Sequence, residues 1–253
     1  MRMTVVGCAG SYPSADSAAS CYLFEAPYEG GTYRLVVDLG NGALTPLQQL
    51  VDLRDVDAIV ISHLHPDHYM DICGTYVYRK YHPEGPLARI PLWGPAGCAD
   101  RFADAYDLPH DPGMHEEFAI HEWADHEIVT LGPFTILPRE LVHPVEAYGL
   151  RISDGSGTVA YSGDTGPTQA LVELAAGADL FLCEASFVDR PNNPPELHLT
   201  GSDAGEAAAA AEVGRLLLTH VPSWTDHDAV AAEAKATFDG PSELVEPGGV
   251  YVL

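Results

Sequence analysis

Lysine is nearly absent from this chain of 253 residues: Lys80 and Lys235 are the only two. All basic residues together number 12 against 37 acidic ones, a formal net charge of -25. A surface so poor in cations repels polyanions and neutralises few phosphates, which argues against broad nucleic-acid binding. It leaves room for a small phosphorylated substrate, because a bound metal ion outweighs a distant surface field. Long hydrophobic runs are also missing. None approaches the roughly 18 residues of a membrane span. The opening MRMTVVGCAG reads as a first strand rather than a signal peptide. Cysteine is scarce and unpatterned: Cys8, Cys21, Cys73, Cys98 and Cys183 are odd in number and form no CxxC. That excludes a zinc ribbon, argues against a disulfide framework and suits a reducing cytoplasm.

What is present is an ordinary globular mixture, 46% hydrophobic and 19% charged, long enough to bury a sizeable core. TVVGCAGSYPS opens with a strand and a Gly/Ser/Pro loop, and TYRLVVDL makes a second strand ending at Asp38. Residues 56–62, VDAIVIS, are apolar throughout, which requires cover on both faces. Tyr69 to Tyr81 is predicted helical, with Met70, Cys73, Val77 and Tyr81 on one face. Residues 100–127 are partly helical and hold nine acidic side chains against one arginine, the candidate for a cap or lid. FTILPRELVH, GLRISD, TVAYS, DLFLCEAS and RLLLTH read as further strands. A helix from Thr200 to Gly214 starts at a capping-box spacing, Thr200 to Asp203, and another lies near 228–238. Strands in runs, with helices between and after them, predict two sheets face to face with helices outside, in one domain over 1–253.

The sharpest feature is Ser62-His63-Leu64-His65-Pro66-Asp67-His68, an HxHxDH run where a buried strand gives way to a helix. A strand projects alternate residues to one side, so His63 and His65 can converge. Asp67 and His68 follow on the turn and can face a neighbouring site. Three imidazoles and a carboxylate so close together are costly to pack without polar partners. Imidazole with carboxylate suits zinc, and also manganese or iron.

An HxHxDH run after a hydrophobic strand resembles the signature of the metallo-β-lactamase superfamily. The resemblance extends along the chain, because LVHP supplies His143, AYSGDTG supplies Asp164 and LLLTHVP supplies His220, each at a predicted strand end. It implies a four-layer αββα sandwich and two divalent ions, most simply two zinc ions. His63, His65 and His143 would hold the first, and Asp67, His68 and His220 the second, with Asp164 bridging. Two ions sharing a carboxylate lower the pKa of bridging water towards neutrality, which supplies a nucleophile.

Three further motifs resemble the ribonuclease Z and phosphodiesterase branch. HPVEAYGLRI surrounds His143. LCEASF carries Glu184, with Cys183 where that branch has a histidine. HLTGSDAGEAAAAA carries His198 before a predicted helix. The resemblance assigns His198 to phosphate contact or leaving-group protonation, beside a helix N-terminus that favours an anion. It gives Glu184 a part in catalysis and makes Asp67 both ligand and proton acceptor. Cys183 lacks the imidazole that would bond Glu184, which weakens a tRNA-type proton relay. A protruding basic arm is also missing, since Arg89 is the only Lys or Arg in 82–97. With GCAGSYPS, DLGNGAL, YHPEGP and HEW, the pattern is similar to actinobacterial ribonuclease Z-like cyclic-nucleotide phosphodiesterases. A small phosphodiester such as cyclic AMP is therefore the expected substrate, with RNA disfavoured and no membrane partner, and the resemblance implies a homodimer. The alternatives are a tRNA 3′-end endonuclease and a thioester or lactone hydrolase. Asp38 reads as a support for a ligand histidine. Tyr148 could bond substrate or simply pack. His110, His115, His121 and His126 read as surface histidines. Trp93, Trp123 and Trp224 read as core or interface, with Trp224, four residues past His220, the one best placed to stack a base.

Overall fold

Along each strand the side chains alternate between two apolar environments, and that alternation builds the layers. The computed structural model describes residues 1–253. In chain order the strands are β1 (Arg2–Ala9), β2 (Ala18–Ala19), β3 (Cys21–Tyr28), β4 (Gly31–Val37), β5 (Ala58–Val60), β6 (Ile90–Gly94), β7 (Phe118–Glu122), β8 (Val129–Leu131), β9 (Phe134–Glu140), β10 (Tyr148–Ser153), β11 (Thr158–Tyr161), β12 (Leu180–Glu184), β13 (Leu216–Thr219), β14 (Ser242–Leu244) and β15 (Val250–Val252). They form two sheets. One is ordered β15-β1-β3-β4-β5-β6-β7 with β2 beside β1, and the other β14-β13-β12-β11-β10-β9-β8.

Val60, Leu182 and Leu217 point into a core between the sheets, with Phe24, Phe134 and Ile136. Their neighbours Ile59 and Ile61 point outward, against the helices α1 (Leu44–Leu50), α2 (Pro66–Tyr69), α3 (Ile72–Lys80) and α4 (Cys98–Ala105). Phe181, Leu216 and Leu218 likewise face α5 (Gln169–Ala175), α6 (Gly201–Ala210) and α7 (His227–Thr237). Three cores separate four layers, the αββα sandwich that the resemblance implies. Each fully buried aliphatic or aromatic side chain contributes about 1.5–3 kcal/mol, so a one-residue slip that exchanged the two faces is strongly disfavoured.

The layers also place the site. Strands β4 to β7 run parallel to one another, and so do β11 to β14. Their carboxyl ends lie on one rim, where open α/β sheets gather ligands. Asp38 follows β4, Ser62 and His63 follow β5, Asp164 follows β11, Glu184 ends β12 and His220 follows β13.

Several expectations need correction. The helix predicted over Tyr69–Tyr81 is two pieces, α2 and α3. It breaks because Asp71 turns to other partners: its amide donates to the Leu39 carbonyl (3.1 Å) and its carboxylate accepts from the Leu44 amide (2.7 Å). The buried face of α3 is Ile72, Thr75, Tyr76 and Arg79, and Tyr81 is 65% exposed. Residues 100–127 do not form a cap. They hold most of α4, which packs Phe102 on the outer face of the first sheet, and β7, which is that sheet's edge strand. The helix expected to reach Gly214 ends at Ala210, although Thr200 and Asp203 do form a reciprocal capping box. Strand β3, in the middle of the first sheet, was not foreseen.

Candidate metal centre

Pro66 at the first helical position starts α2 immediately after His65, which puts Asp67 and His68 in its first turn. The Asp67 carbonyl lies over Gly40, where any β-carbon would stand 1.9 Å from that oxygen. Only glycine allows this approach, so the DLGNG turn holds α2 at its required height. His220 leaves β13 with φ 56°, a left-handed conformation that turns its ring into the rim.

The ring nitrogens converge in two groups. His65 Nδ1 lies 3.1 Å from His63 Nε2 and 3.2 Å from His143 Nε2, and His63 Nε2 lies 3.6 Å from Asp164 Oδ2. In the second group, His68 Nε2 lies 3.2 Å from Asp164 Oδ1 and 3.6 Å from Asp67 Oδ2. His220 Nε2 lies 3.2 Å from Asp164 Oδ2 and 3.7 Å from Asp67 Oδ2. Nitrogen bonds of about 2.0–2.1 Å around a tetrahedral ion would give ligand separations of about 3.3–3.4 Å. The observed spacings fall around that value. Asp164 is shared by both groups. His68 Nε2 and Asp164 Oδ1 are buried without a hydrogen-bond partner, which is expensive unless a cation satisfies them. The donor set and the two orphaned atoms together fit a pair of divalent ions.

The outward nitrogens are also occupied. His68 Nδ1 meets Asp38 Oδ2 at 2.7 Å, His143 Nδ1 meets the Leu197 carbonyl at 2.9 Å, and His220 Nδ1 meets Ser20 Oγ at 2.9 Å. A ring that donates outward through Nδ1 keeps the Nε2 lone pair for a metal. Asp38, with φ 54° and no exposure, further accepts from the Ser62 amide (2.7 Å), Ser62 Oγ (2.8 Å) and the Tyr161 hydroxyl (2.7 Å). Sequence reading identified Asp38 but missed Ser20, Ser62 and Tyr161. Small hydroxyl residues at strand ends carry no pattern by which to find them.

Burial lowers the pKa of His63 well below its ordinary value, more than Asp164 raises it, and His65 and His143 are lowered for the same reason. These rings are neutral, as ligands must be. His68 goes the other way: burial acts to lower it, but Asp164, Asp38 and Asp67 together raise it. Asp164 is held well below the carboxylate range in spite of burial, by His220, His68 and His63.

A third group adjoins the other two. His198 Nδ1 lies 2.8 Å from Glu184 Oε1 and 4.0 Å from Asp164 Oδ2. Glu184 is fully buried and accepts also from the amides of Thr165 (2.9 Å) and Ser186 (3.2 Å) and from Ser186 Oγ (3.0 Å). Concern over Cys183 was therefore misplaced. It alternates with Glu184 along β12 and points into the helical core on the opposite face, while His198 supplies the imidazole that bonds Glu184.

The remaining candidates separate cleanly. Tyr148 packs between the sheets and donates to Glu146 at 2.9 Å. His110 pairs with Asp104, His126 lies against Arg139, His121 stacks on Trp93, and His115 is exposed. Trp123 is buried and donates to the Ile61 carbonyl, and Trp93 stacks on it. Trp224 is 68% exposed. None of the five cysteines is bonded to another. A cavity of about 730 Å³, lined by Cys8, Ser17, Thr219 and Val221 among others, lies beside the His220 strand end and includes none of the seven cage residues.

Comparison with known proteins agrees with this geometry. A Beta-lactamase superfamily domain matches residues 33–221. A Mycobacterium tuberculosis protein of uncharacterised role is 49% identical over 97% of this chain and 89% of its own length. The probable metallo-hydrolase YhfI of Bacillus subtilis is 32% identical over 99% of both chains. The crystal structure of YhfI superposes with a TM-score of 0.87 at 31% identity, covering 99% of this chain and 98% of that one. Ribonuclease Z of Mycolicibacterium gilvum is 27% identical over 96% of this chain and 93% of its own. With the domain matched over most of its length and relatives at this level across nearly all of it, the chain belongs to the metallo-β-lactamase superfamily and is a metallo-hydrolase of that fold.

Proposed function

We propose that the protein is a phosphodiesterase acting on a small phosphodiester, with a cyclic nucleotide such as cyclic AMP as its substrate. The observation that carries this reading is the His198–Glu184 pair beside the cage. Burial alone would lower the His198 pKa, but Glu184 and then Asp164 raise it, to about 9 in the metal-free protein, which favours the charged ring. A fixed cation with a donor to spare suits an anionic phosphoryl group. A neutral thioester or lactone brings no ground-state charge for that cation to hold.

The residues present fit two ions, one at His63, His65 and His143, one at Asp67, His68 and His220, with Asp164 between them. Zinc fits the donor set best, and manganese or iron is also compatible. Such ions, when bound, supply Lewis-acid polarisation of phosphoryl oxygens and a more acidic water. The chain's own groups supply the rest. His198 Nδ1 is engaged with Glu184, so its Nε2–H is the donor left for substrate. It holds a phosphoryl oxygen and delivers a proton to the departing alkoxide. Glu184, bonded on both oxygens and buried, keeps the ring oriented and favours its return to the charged form. Asp67 Oδ2 faces both His68 and His220 and serves as ligand and proton acceptor.

Likeness to a ribonuclease Z favours a second reading, a tRNA 3′-end endonuclease. The net charge of -25 and the short connection between α3 and β6, with Arg89 its only Lys or Arg, weigh against it. No helix is long and apolar enough to cross a membrane. The reading includes a cytoplasmic homodimer, which sedimentation of the purified protein checks. Metal-loaded protein assayed side by side on cyclic AMP, precursor tRNA and a thioester tests the substrate. Cyclic AMP is expected to turn over best, and a clear preference for either of the others overturns the proposal.

A further inference from the structure

Two aromatic side chains at the rim of the cage have no part in the reading above. Trp224 is the most exposed of the three tryptophans, and its ring stacks on Tyr12 with centroids 4.8 Å apart and planes inclined by 27°. Tyr12 is itself 36% exposed. The stack is held in place: the Tyr12 hydroxyl and Ser223 Oγ are 2.5 Å apart. One face of the indole is covered by Tyr12 and the rest meets solvent. An ordered aromatic face at the edge of a reaction centre offers a surface on which a flat ligand ring can stack.

Both carrier loops are fastened to the cage. Gly10 passes so close to the His220 backbone that a β-carbon would stand 2.2 Å from its carbonyl oxygen. Ser11, in the left-handed region at φ 64°, directs its amide to His220 Nε2 at 3.4 Å, the same nitrogen that faces Asp164. Adjacent Cα atoms are about 3.8 Å apart, so the Tyr12 Cα lies at most about 9 Å from that nitrogen. The Trp224 loop is tied down by Thr225, whose hydroxyl donates to the Ser186 carbonyl at 3.0 Å, and Ser186 in turn bonds the His220 carbonyl at 2.9 Å.

The surroundings define the occupant. The two loops that carry the stack include Ser11, Ser14, Ser223 and Thr225, which offer hydroxyls, and Asp16, Asp226 and Asp228, which repel anions. No lysine or arginine occurs in either loop, 10–17 or 221–228. A phosphate therefore has no reason to rest on the stack, whereas a flat, uncharged heterocycle does.

Building on the phosphodiesterase reading, we propose that Tyr12 and Trp224 form the platform on which the nucleobase of the substrate stacks, while its phosphoryl group lies at the cage. The platform sets specificity and is not catalytic. The Ser11 contact and the Tyr12–Ser223 bond keep the stack beside His220.

The test compares kcat/KM for cyclic AMP with that for a glycerol phosphodiester, which carries no ring. Stacking of one base on an aromatic side chain corresponds to about a ten- to hundredfold change in affinity. In W224A the ratio of the two kcat/KM values is expected to fall by about that factor through KM, and W224F is expected to restore most of it. Adenosine monophosphate is expected to quench tryptophan fluorescence in the wild type, and the quench is expected to shrink in W224F, because Trp224 is the most exposed tryptophan, whereas Trp123 is buried and Trp93 partly buried. An unchanged ratio in W224A, with the wild type still hydrolysing cyclic AMP, overturns the platform and leaves the phosphodiesterase reading standing. A wild type inert towards all phosphodiesters overturns both. Dimers that dissociate in W224A while the ratio holds would assign the stack to a subunit contact instead and overturn the platform.

Discussion

Asp38→Asn should weaken the hold on the second metal ion more than on the first. The substitution keeps the size and planarity of the side chain, and asparagine tolerates the left-handed φ of 54° at this position. Asp38 accepts four hydrogen bonds. Oδ1 takes the Ser62 amide, and Oδ2 takes Ser62 Oγ, the Tyr161 hydroxyl and His68 Nδ1. An amide has one oxygen and one NH2. A backbone N–H cannot become an acceptor, so the amide oxygen must face Ser62 N and the NH2 must take the place of Oδ2. The two hydroxyls can rotate to accept. His68 can accept only by giving up its Nδ1 proton, which moves the hydrogen to Nε2. That nitrogen then has no lone pair for a metal. Loss of such a supporting bond costs about 10–100-fold in metal affinity, or about 1.4–2.7 kcal/mol. Asp38→Ala is less informative, because it strands four buried donors at about 1–3 kcal/mol each, a sum comparable to the whole stability of a domain. The assay is metal content after equilibrium dialysis, with a melting curve to show that the variant folds. Two ions per chain at unchanged affinity in a folded D38N protein would refute the tautomer argument.

Asp164→Ala should lose metal and activity together, since Asp164 belongs to both groups; a fully active variant would remove its bridging role. His198→Ala should keep its metal but turn over cyclic AMP at least 100-fold more slowly, the usual scale for a positioned proton donor, and an unchanged rate would make His198 structural. Because the His198 pKa is raised, its charged form is present below it and lost as pH rises through about 9 in the metal-free protein. Bound cations oppose that proton, so the alkaline limb of kcat should lie below 9. Glu184→Gln should move the limb lower still, and a limb that does not move counts against the pair. Stripping both ions with a chelator should lower the melting temperature by about 20 °C if each site normally works near a thousandfold above its Kd, equivalent to about 4 kcal/mol per ion.

The cage was legible in the sequence because its spacing is dictated by local geometry. HxHxDH needs only a strand end, a proline at the first helical position and one turn, all of which are short-range. His143, Asp164 and His220 could be found only through family resemblance, since parallel pairing of β11, β12 and β13 decides their convergence. The break between α2 and α3 was not legible, because Asp71 is drawn to Leu39 and Leu44, far away along the chain. Cys183 was misjudged because a motif read as text lacks the period-two alternation that turns neighbouring residues to opposite faces. The Ser20, Ser62 and Ser186 hydroxyls gave no warning at all.

The cage draws on both halves of the sandwich. His63, His65, Asp67 and His68 come from the first sheet's side, and His143, Asp164 and His220 from the second. Ions held there act as a clasp between two leaves, closing the sandwich at one end and leaving the other to apolar contact and the single pairing of the Met1 amine with Asp154 and Ser156. Mechanical or thermal opening of the loaded protein should therefore begin at the unclasped end, and the loops around the reaction centre should be the last part of the molecule to come apart.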